Sequence, residues 1–165
     1  MSPNVENYKD ILLGLCKQLN VRHIAEVGLG PDAKTADYIL SNYHMDSFVY
    51  YVIENNLNPI AVENLSKHQP TRYKIIQGHS QNQELYKNLP PIDIFCIDGD
   101  HAFWSCYGDL KTCAELNLLS ETGVVLLHDS SAKQIQEAME YTKLKHNFQY
   151  FNVVCSNFAI GRFNN

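Results

Sequence analysis

The fold of this chain is decided by the stretch HIAEVGLG, residues 23–30. Its first half is a short apolar run that predicts a β-strand, and Gly28 and Gly30 directly after it predict a tight turn into a helix. Glycines at such a turn let the backbone approach a ligand, and the amides of the next helix point at that ligand. Ala33 fills the third small position of a G-x-G-x-x-G/A pattern. Alone, the pattern also fits an ordinary tight turn that binds nothing.

Outward from this stretch, strand-like and helix-like segments alternate along the chain. Hydrophobic patterning predicts strands over residues 23–28, 48–54, 73–77, 93–98 and 123–127. It predicts helices over residues 8–19, 34–43, 59–68, 81–89, 105–119 and 132–143, with Asn58 as the N-cap of the third. This alternation is typical of a mostly parallel sheet with helices on both faces.

The last two strands are predicted over residues 148–154 and 158–163. The segment between them is too short for a parallel crossover, so the pair is predicted to form an antiparallel hairpin. We therefore expect an α/β fold, a Rossmann-like doubly wound sheet of seven strands, mostly parallel with a C-terminal antiparallel hairpin. We expect residues 1–165 to form one domain, and a ligand to bind at the carboxyl ends of the strands.

Two further turns lie where such a ligand is expected. Glu54 ends the second strand, and an acid at that point can accept hydrogen bonds from both hydroxyls of a ribose. After the third strand come Gly78, His79 and Ser80, in a loop where an adenine ring would rest and where either polar side chain could contact its edge. The alternatives are a solvated acid and a plain turn whose serine caps a helix.

Acids and histidines follow the fourth and fifth strands. The sequence IDGDH at residues 97–101 contains Asp98 and His101, and HDS at residues 128–130 contains His128 and Asp129. Adjacent strands would bring both groups to one edge of the sheet, where they could hold a divalent cation or supply a general base. Carboxylates suit Mg²⁺, and adding a histidine also permits Mn²⁺ or another transition ion. The alternative is that these residues cap the following helices and bind no metal.

Composition excludes several classes of protein. The formal net charge is -5 and no Lys/Arg-rich run is present, so we expect no nucleic-acid partner. The five cysteines are odd in number and lack C-x-x-C spacing, which favours a reduced, cytoplasmic protein over a disulfide framework. No apolar run is long enough to span a bilayer and no signal peptide is recognisable, so no membrane association is expected.

Taken in order, EVGLG, VIE, QGHS, FCIDGDH and GVVLLHD resemble the motifs of class I S-adenosylmethionine (SAM)-dependent methyltransferases. More narrowly, the chain is similar to the small methyltransferases, family 24-like, with a DGDH…HD signature. The resemblance runs over residues 23–163. It implies SAM as cofactor and O-methylation of a small hydroxylated substrate, with or without a divalent cation.

The resemblance also implies roles for individual residues. Glu26, Gly28 and Gly30 match the loop that holds the methionine part of SAM. The other cofactor positions, matched to the ribose, to the adenine edge and to the SAM amino group or a metal, are Glu54, His79, Ser80 and Asp98.

The resemblance also implies roles for residues at the reaction centre. The metal positions of related O-methyltransferases correspond to Asp98, His128 and Asp129, and His101 matches a general base of metal-dependent sugar O-methyltransferases. Catechol-type relatives have Asp-Asn where this chain has Asp129-Ser130, and sugar-type relatives have an acid where it has His128. About twenty residues precede the first strand, so we expect the substrate side to be open or completed by a second subunit, as in a homodimer.

Rival functions remain at this stage. An NAD-binding Rossmann enzyme would share the glycine turn and the acid at Glu54, but Glu26 stands where dinucleotide folds usually have an apolar residue. A base-specific nucleic-acid methyltransferase would need a tetrapeptide such as NPPY or a Pro-Cys nucleophile, which the sequence lacks. A non-catalytic SAM-binding or structural module of the same fold is the third rival.

Overall fold

A computed structural model describes residues 8–153 and 157–164. The helices are α1 (Tyr8–Leu19), α2 (Lys34–Asn42), α3 (Pro59–Ser66), α4 (Phe103–Glu115) and α5 (Lys133–His146). The strands are β1 (His23–Val27), β2 (Val49–Glu54), β3 (Tyr73–Gln77), β4 (Ile92–Ile97), β5 (Leu119–His128), β6 (Phe148–Asn152) and β7 (Phe158–Phe163).

The seven strands form one sheet in the order β3-β2-β1-β4-β5-β7-β6. Strands β1 to β5 pair in parallel, whereas β7 runs antiparallel to both β5 and β6. The predicted fold class is therefore confirmed. The chain leaves β1 toward β2 on one side and returns to β4 on the other, and this reversal places the turns after β1 and β4 side by side.

Two apolar layers enclose the sheet, one on each face. Successive residues of a strand point to opposite faces, so Ile24, Val52 and Cys96 pack with α1, α2 and α3. Their chain neighbours Ala25 and Ile53 pack with α4 and α5. Burial on both faces explains why the central strands are nearly continuous apolar runs.

Element boundaries differ from the predictions in three places. The helix predicted over residues 81–89 is one turn of 3₁₀-helix, Gln83–Tyr86, begun by Asn82, whose side chain accepts from the Glu84 amide. Helix α4 begins two residues earlier than predicted and ends at Glu115, just before Asn117 takes a left-handed φ of 49°. Strand β5 then begins at Leu119 rather than 123, with a register shift against β4.

The remaining helix and strand predictions hold to within three residues at each end. Asn58 caps α3 as predicted, its side chain accepting from the Ile60 amide ahead of Pro59 at the first helical position. Residue 154, predicted as the end of β6, lies outside the described residues. Within the described ranges, every helix is too short or too polar to cross a membrane.

Candidate functional site

A cavity of about 480 Å³ opens at the carboxyl ends of the parallel strands. Its size lies in the range of small-molecule and cofactor sites. It is lined by residues from the turns after β1, β2, β3 and β4 and from the start of α4: Val27, Gly28, Gly30, Ile53, Glu54, Asn55, Gly78, His79, Ser80, Gln81, Asp98, Gly99, Asp100, Ser105 and Asp109. Six of the predicted cofactor positions therefore share one cavity.

The turn after β1 is held against the turn after β4. Gly28 has a φ of +86°, and a Cβ at this position would lie 2.4 Å from the carbonyl oxygen of Asp98. The Gly28 amide donates to the Ile53 carbonyl at 3.1 Å, and the Asp98 amide donates to the Val27 carbonyl at 2.9 Å. Glycine is required here both by the left-handed backbone and by the close approach of the neighbouring strand.

Both carboxylate oxygens of Glu54 are held by backbone amides. Oε2 accepts from the Leu29 amide in the glycine turn, and Oε1 accepts from the Asn56 amide, each at 2.9 Å. The carboxylate is thus fixed between the turns after β1 and β2 while still lining the cavity. Each oxygen has a second lone pair, so the predicted contacts to two ribose hydroxyls are compatible with these bonds.

Two hydrogen bonds hold the loop after β3 in place. Ser80 Oγ donates to Asp109 Oδ1 at 2.5 Å, and Tyr86 Oη donates to the Ser80 carbonyl at 2.6 Å. His79 is exposed and lines the cavity. Of the two predicted adenine-edge residues, Ser80 is therefore fixed in place and His79 is held less closely.

The acids and histidines after β4 and β5 converge, as predicted. His128 Nδ1 lies 3.0 Å from Asp98 Oδ1 and 3.1 Å from Asp129 Oδ2. His101 Nε2 lies 3.0 Å from the same Asp129 oxygen, with half of its side chain exposed. One atom from each of Asp98, His128 and Asp129 lies within 4.8 Å of the others.

This donor set fits a divalent cation. His128 Nδ1 is buried, and despite its short distances to two carboxylates it makes no directed hydrogen bond among the described residues. At metal–ligand distances of about 2.1 Å, neighbouring ligands of an octahedral ion lie about 3 Å apart, which matches the separations of His128 Nδ1 from Asp98 and from Asp129. The Asp98 carboxylate beside Nδ1 raises the pKa of His128, with a smaller contribution from Asp129 and with desolvation opposing it.

Glu26 lies behind the glycine turn, away from the cavity. Its side chain is 1% exposed, and Oε2 accepts a hydrogen bond from Tyr50 Oη at 3.0 Å. Burial, and then the nearby Asp98 carboxylate, raise the pKa of Glu26 to about 8, while the bond from Tyr50 opposes the shift. That Glu26 touches the methionine part of SAM stays a prediction.

Sequence reasoning missed three residues around the site. Asp109 lines the cavity from α4, and Asn157 donates to Asp129 Oδ1 from the loop before β7 at 2.5 Å. The ring of Tyr8 packs edge-on against that of His128, with centroids 4.7 Å apart. Each comes from a segment distant in sequence, so local patterning gave no signal. For Asp109 alone, an acid at a position of α4 that helical periodicity buries was a usable signal.

Comparisons with known proteins agree with this geometry. A family model described as a methyltransferase domain matches residues 20–130, which covers β1 to β5 and all four turns of the cavity. A search of curated proteins found no match.

Solved structures share the fold at low sequence identity. The SAH-bound methyltransferase PaMTH1 of Podospora anserina aligns with a TM-score of 0.78 and 13% identity, over 95% of this chain and 78% of that one. The SAH complex of an O-methyltransferase from Bacillus cereus gives 0.71 and 15%, over 99% and 82%. The SAM complex of the O-methyltransferase TomG of Streptomyces achromogenes, involved in tomaymycin synthesis, gives 0.74 and 11%, over 99% and 83%.

Proposed function

Because this chain belongs to the methyltransferase-domain family, of the class I SAM-dependent type, we propose that it methylates a hydroxyl group of a small molecule. The observation that carries the proposal is the convergence of Asp98, His101, His128 and Asp129 beside the cavity. We take residues 1–165 to act as one methyltransferase domain.

In this proposal the cavity binds SAM in an extended form. Two backbone amides hold the Glu54 carboxylate in place. In that position it accepts hydrogen bonds from the two ribose hydroxyls. Gly28 and Gly30 present backbone to the methionine part, with Glu26 behind the turn, while His79 and Ser80 lie along the adenine edge. When bound, SAM supplies an activated methyl group that is transferred by in-line displacement, so alignment of donor and acceptor is the main task of the protein.

The residues that would hold a divalent cation are Asp98, His128 and Asp129. A bound Mg²⁺ or Mn²⁺ would lower the pKa of a hydroxyl acceptor and orient it. Asp98 lines the cofactor cavity as well as belonging to the cation cluster, so it connects the two sites. An acceptor held by this cluster would therefore lie next to the methyl group.

His101 is the proposed general base. Its Nε2 faces Asp129, which orients the imidazole, and half of its side chain is exposed and open to an acceptor. A histidine so placed can accept the proton of a hydroxyl as the oxygen attacks, a contribution that is typically about 10²–10⁴-fold in rate. Asp98 and His101 are thus the residues we assign to the reaction itself.

The test is methyl transfer from radiolabelled SAM to a panel of catechols, phenols, monosaccharides and primary amines, with Mg²⁺ or with EDTA. We expect labelled product from a hydroxyl acceptor, and a loss of about 100-fold or more in kcat for His101→Asn with KM little changed. His44→Asn, an exposed histidine in a separate cavity before β2, is the matched control and should retain full activity. Equal turnover by His101→Asn and the wild type would rule out the base role, and product only from amine acceptors would rule out O-methylation.

A further inference from the structure

Asp109 is a buried carboxylate at the end of the cavity beneath the loop after β3. It lies in the second turn of α4 with 2% of its surface exposed, yet it contributes to the cavity lining. Buried acids are rarely retained in proteins without a partner, because removing a carboxylate from water is costly. Its position therefore requires an explanation.

Two adjacent residues of α4 lie against this loop. At Gly108 the side chain of Gln81, from the loop, lies against the helix, with its Cδ 2.6 Å from where a Cβ would stand. Beside it, Asp109 Oδ1 accepts from Ser80 Oγ. The bond between Ser80 and Asp109 thus holds the carboxylate against the loop.

The carboxylate is only partly satisfied by the protein. Among residues 8–153 and 157–164, Ser80 Oγ is the one hydrogen-bond partner of the Asp109 carboxylate, and it occupies Oδ1. Burial raises the pKa of Asp109 to about 7, against the effect of the Ser80 bond. An N–H donor entering the cavity would supply the missing partner to Oδ2, and hydrogen bonds to a charged acceptor are the strong ones.

We propose that Asp109 recognises the adenine of the cofactor, its carboxylate accepting a hydrogen bond from the exocyclic amine, so that the cavity selects a 6-aminopurine. The inference rests on the proposed function, which places SAM in this cavity. In the proposed function, Glu54 binds the ribose and the glycine turn binds the methionine part. The adenine base therefore lies at the remaining end of the cavity, beside the loop after β3. The amine is the only group on adenine with N–H donors once N9 carries the ribose, so it is the group that a carboxylate acceptor fits.

The test compares S-adenosylhomocysteine with S-inosylhomocysteine, in which the amine is replaced by a carbonyl oxygen. A carbonyl facing Asp109 would set two acceptors against each other, and sites built to bond an N–H reject such analogues strongly. We expect calorimetry to give at least a 30-fold preference of the wild type for the adenosyl compound, by analogy with such sites. Asp109→Asn, of the same shape and still able to accept from Ser80, should reduce that preference at least tenfold because its amide can donate to the carbonyl.

Asp93→Asn is the matched control. This carboxylate lies in β4 at the opposite end of the sheet, where it accepts from the Arg22 and His23 amides and from Ser120 Oγ. Its replacement should leave the preference for the adenosyl compound unchanged. Circular dichroism of both variants checks that they are folded.

The outcomes separate this inference from the function on which it rests. If the carboxylate served only to hold Ser80, the ratio of the two affinities in Asp109→Asn would lie within twofold of the wild-type ratio. That result would overturn the inference while the proposed function stood. Failure of the wild type to bind S-adenosylhomocysteine would overturn both. If Asp109→Asn did not fold, an N6,N6-dimethyladenosyl analogue tests the wild type itself, and binding as tight as that of S-adenosylhomocysteine would again overturn the inference.

Discussion

At Glu26 the chain places a carboxylate where water does not reach, beneath the glycine turn. The acid is 1% exposed, bonded to Tyr50 Oη, and its pKa is raised to about 8, chiefly by burial. An unfolded chain would release this proton near pH 4.5, whereas the folded chain keeps it up to about pH 8. Stability should therefore fall as the pH rises through this window, because over that range the folded state binds more protons than the unfolded state.

Glu26→Gln removes this titration and retains an acceptor for Tyr50. We expect the free energy of unfolding of the variant, minus that of the wild type, to rise by about 1.4 kcal/mol per pH unit between pH 5 and pH 8. Over this range the difference amounts to about 4 kcal/mol. Urea unfolding at pH 5, 6.5 and 8.5 measures the difference between the two proteins. The pKa of Asp109 is also raised, but this residue titrates in both proteins, so its contribution cancels in the difference. A difference that did not change with pH would contradict the assignment of this proton to Glu26.

The positions of Glu54, Asp98, His101, His128 and Asp129 at the edge of the sheet were predictable, because each lies at or shortly after the end of a strand and strand ends can be located from hydrophobic patterning. Their roles stay predictions. Hydrophobic patterning alone does not determine which way a side chain points. The role of Glu26 depends on strand register, since side chains alternate between the two faces of a sheet. The bond between Ser80 and Asp109 joins residues 29 positions apart, so it depends on how α4 packs.

Among the structural elements, the β6–β7 hairpin contacts the proposed cation cluster through Asn157, within the part of the hairpin that the structure describes. Asn157, just before β7, donates to Asp129 Oδ1, while its own Oδ1 accepts from the Ser131 amide and hydroxyl. Asp129 has a left-handed φ of 53°, a conformation that needs support from its surroundings. The hairpin therefore fixes the orientation of a proposed cation ligand.

Asn157→Ala should loosen that ligand without removing it. Residues that orient metal ligands typically contribute about 10–100-fold in affinity, so we expect at least a tenfold weaker binding of Mn²⁺, measured by electron paramagnetic resonance titration. Asn147→Ala is the matched control, because its amide bonds the Asn164 carbonyl at the far end of the same hairpin. Equal Mn²⁺ affinity in Asn157→Ala and the wild type would show that the hairpin does not support a cation site.

The elements were predicted well where strand and helix patterns change sharply and less well around α4. Apolar residues continue from α4 into β5, so Leu116, Leu118 and Leu119 extend the helical pattern beyond the true end. The helix ends at Glu115 because the backbone turns through Asn117, a residue that tolerates positive φ. The predicted start of α4 was two residues late because Ala102, at the N-cap position, makes no side-chain cap bond and so gives no sequence signal. Asp100, ahead of the helix, accepts from the Ala102 amide and the Ser105 hydroxyl.

At the scale of the molecule, the sheet order explains why residues from four separate turns meet. Parallel strands end at one edge, so motifs that are 20 to 40 residues apart in sequence come together there. The antiparallel hairpin was predictable from the short connection alone. Its place beside β5 was not, because strand order depends on packing between distant segments.

The central claim is that the cavity binds the cofactor, and calorimetric titration with S-adenosylhomocysteine tests it most directly. The titration uses the wild type, Glu54→Ala and, as a control, Glu63→Ala on the exposed side of α3, each with and without Mg²⁺. We predict micromolar binding to the wild type and Glu63→Ala. Glu54→Ala should bind about 10–100-fold more weakly, as expected for lost hydrogen bonds to a charged group. No binding to the wild type, or equal binding to Glu54→Ala, would contradict the account.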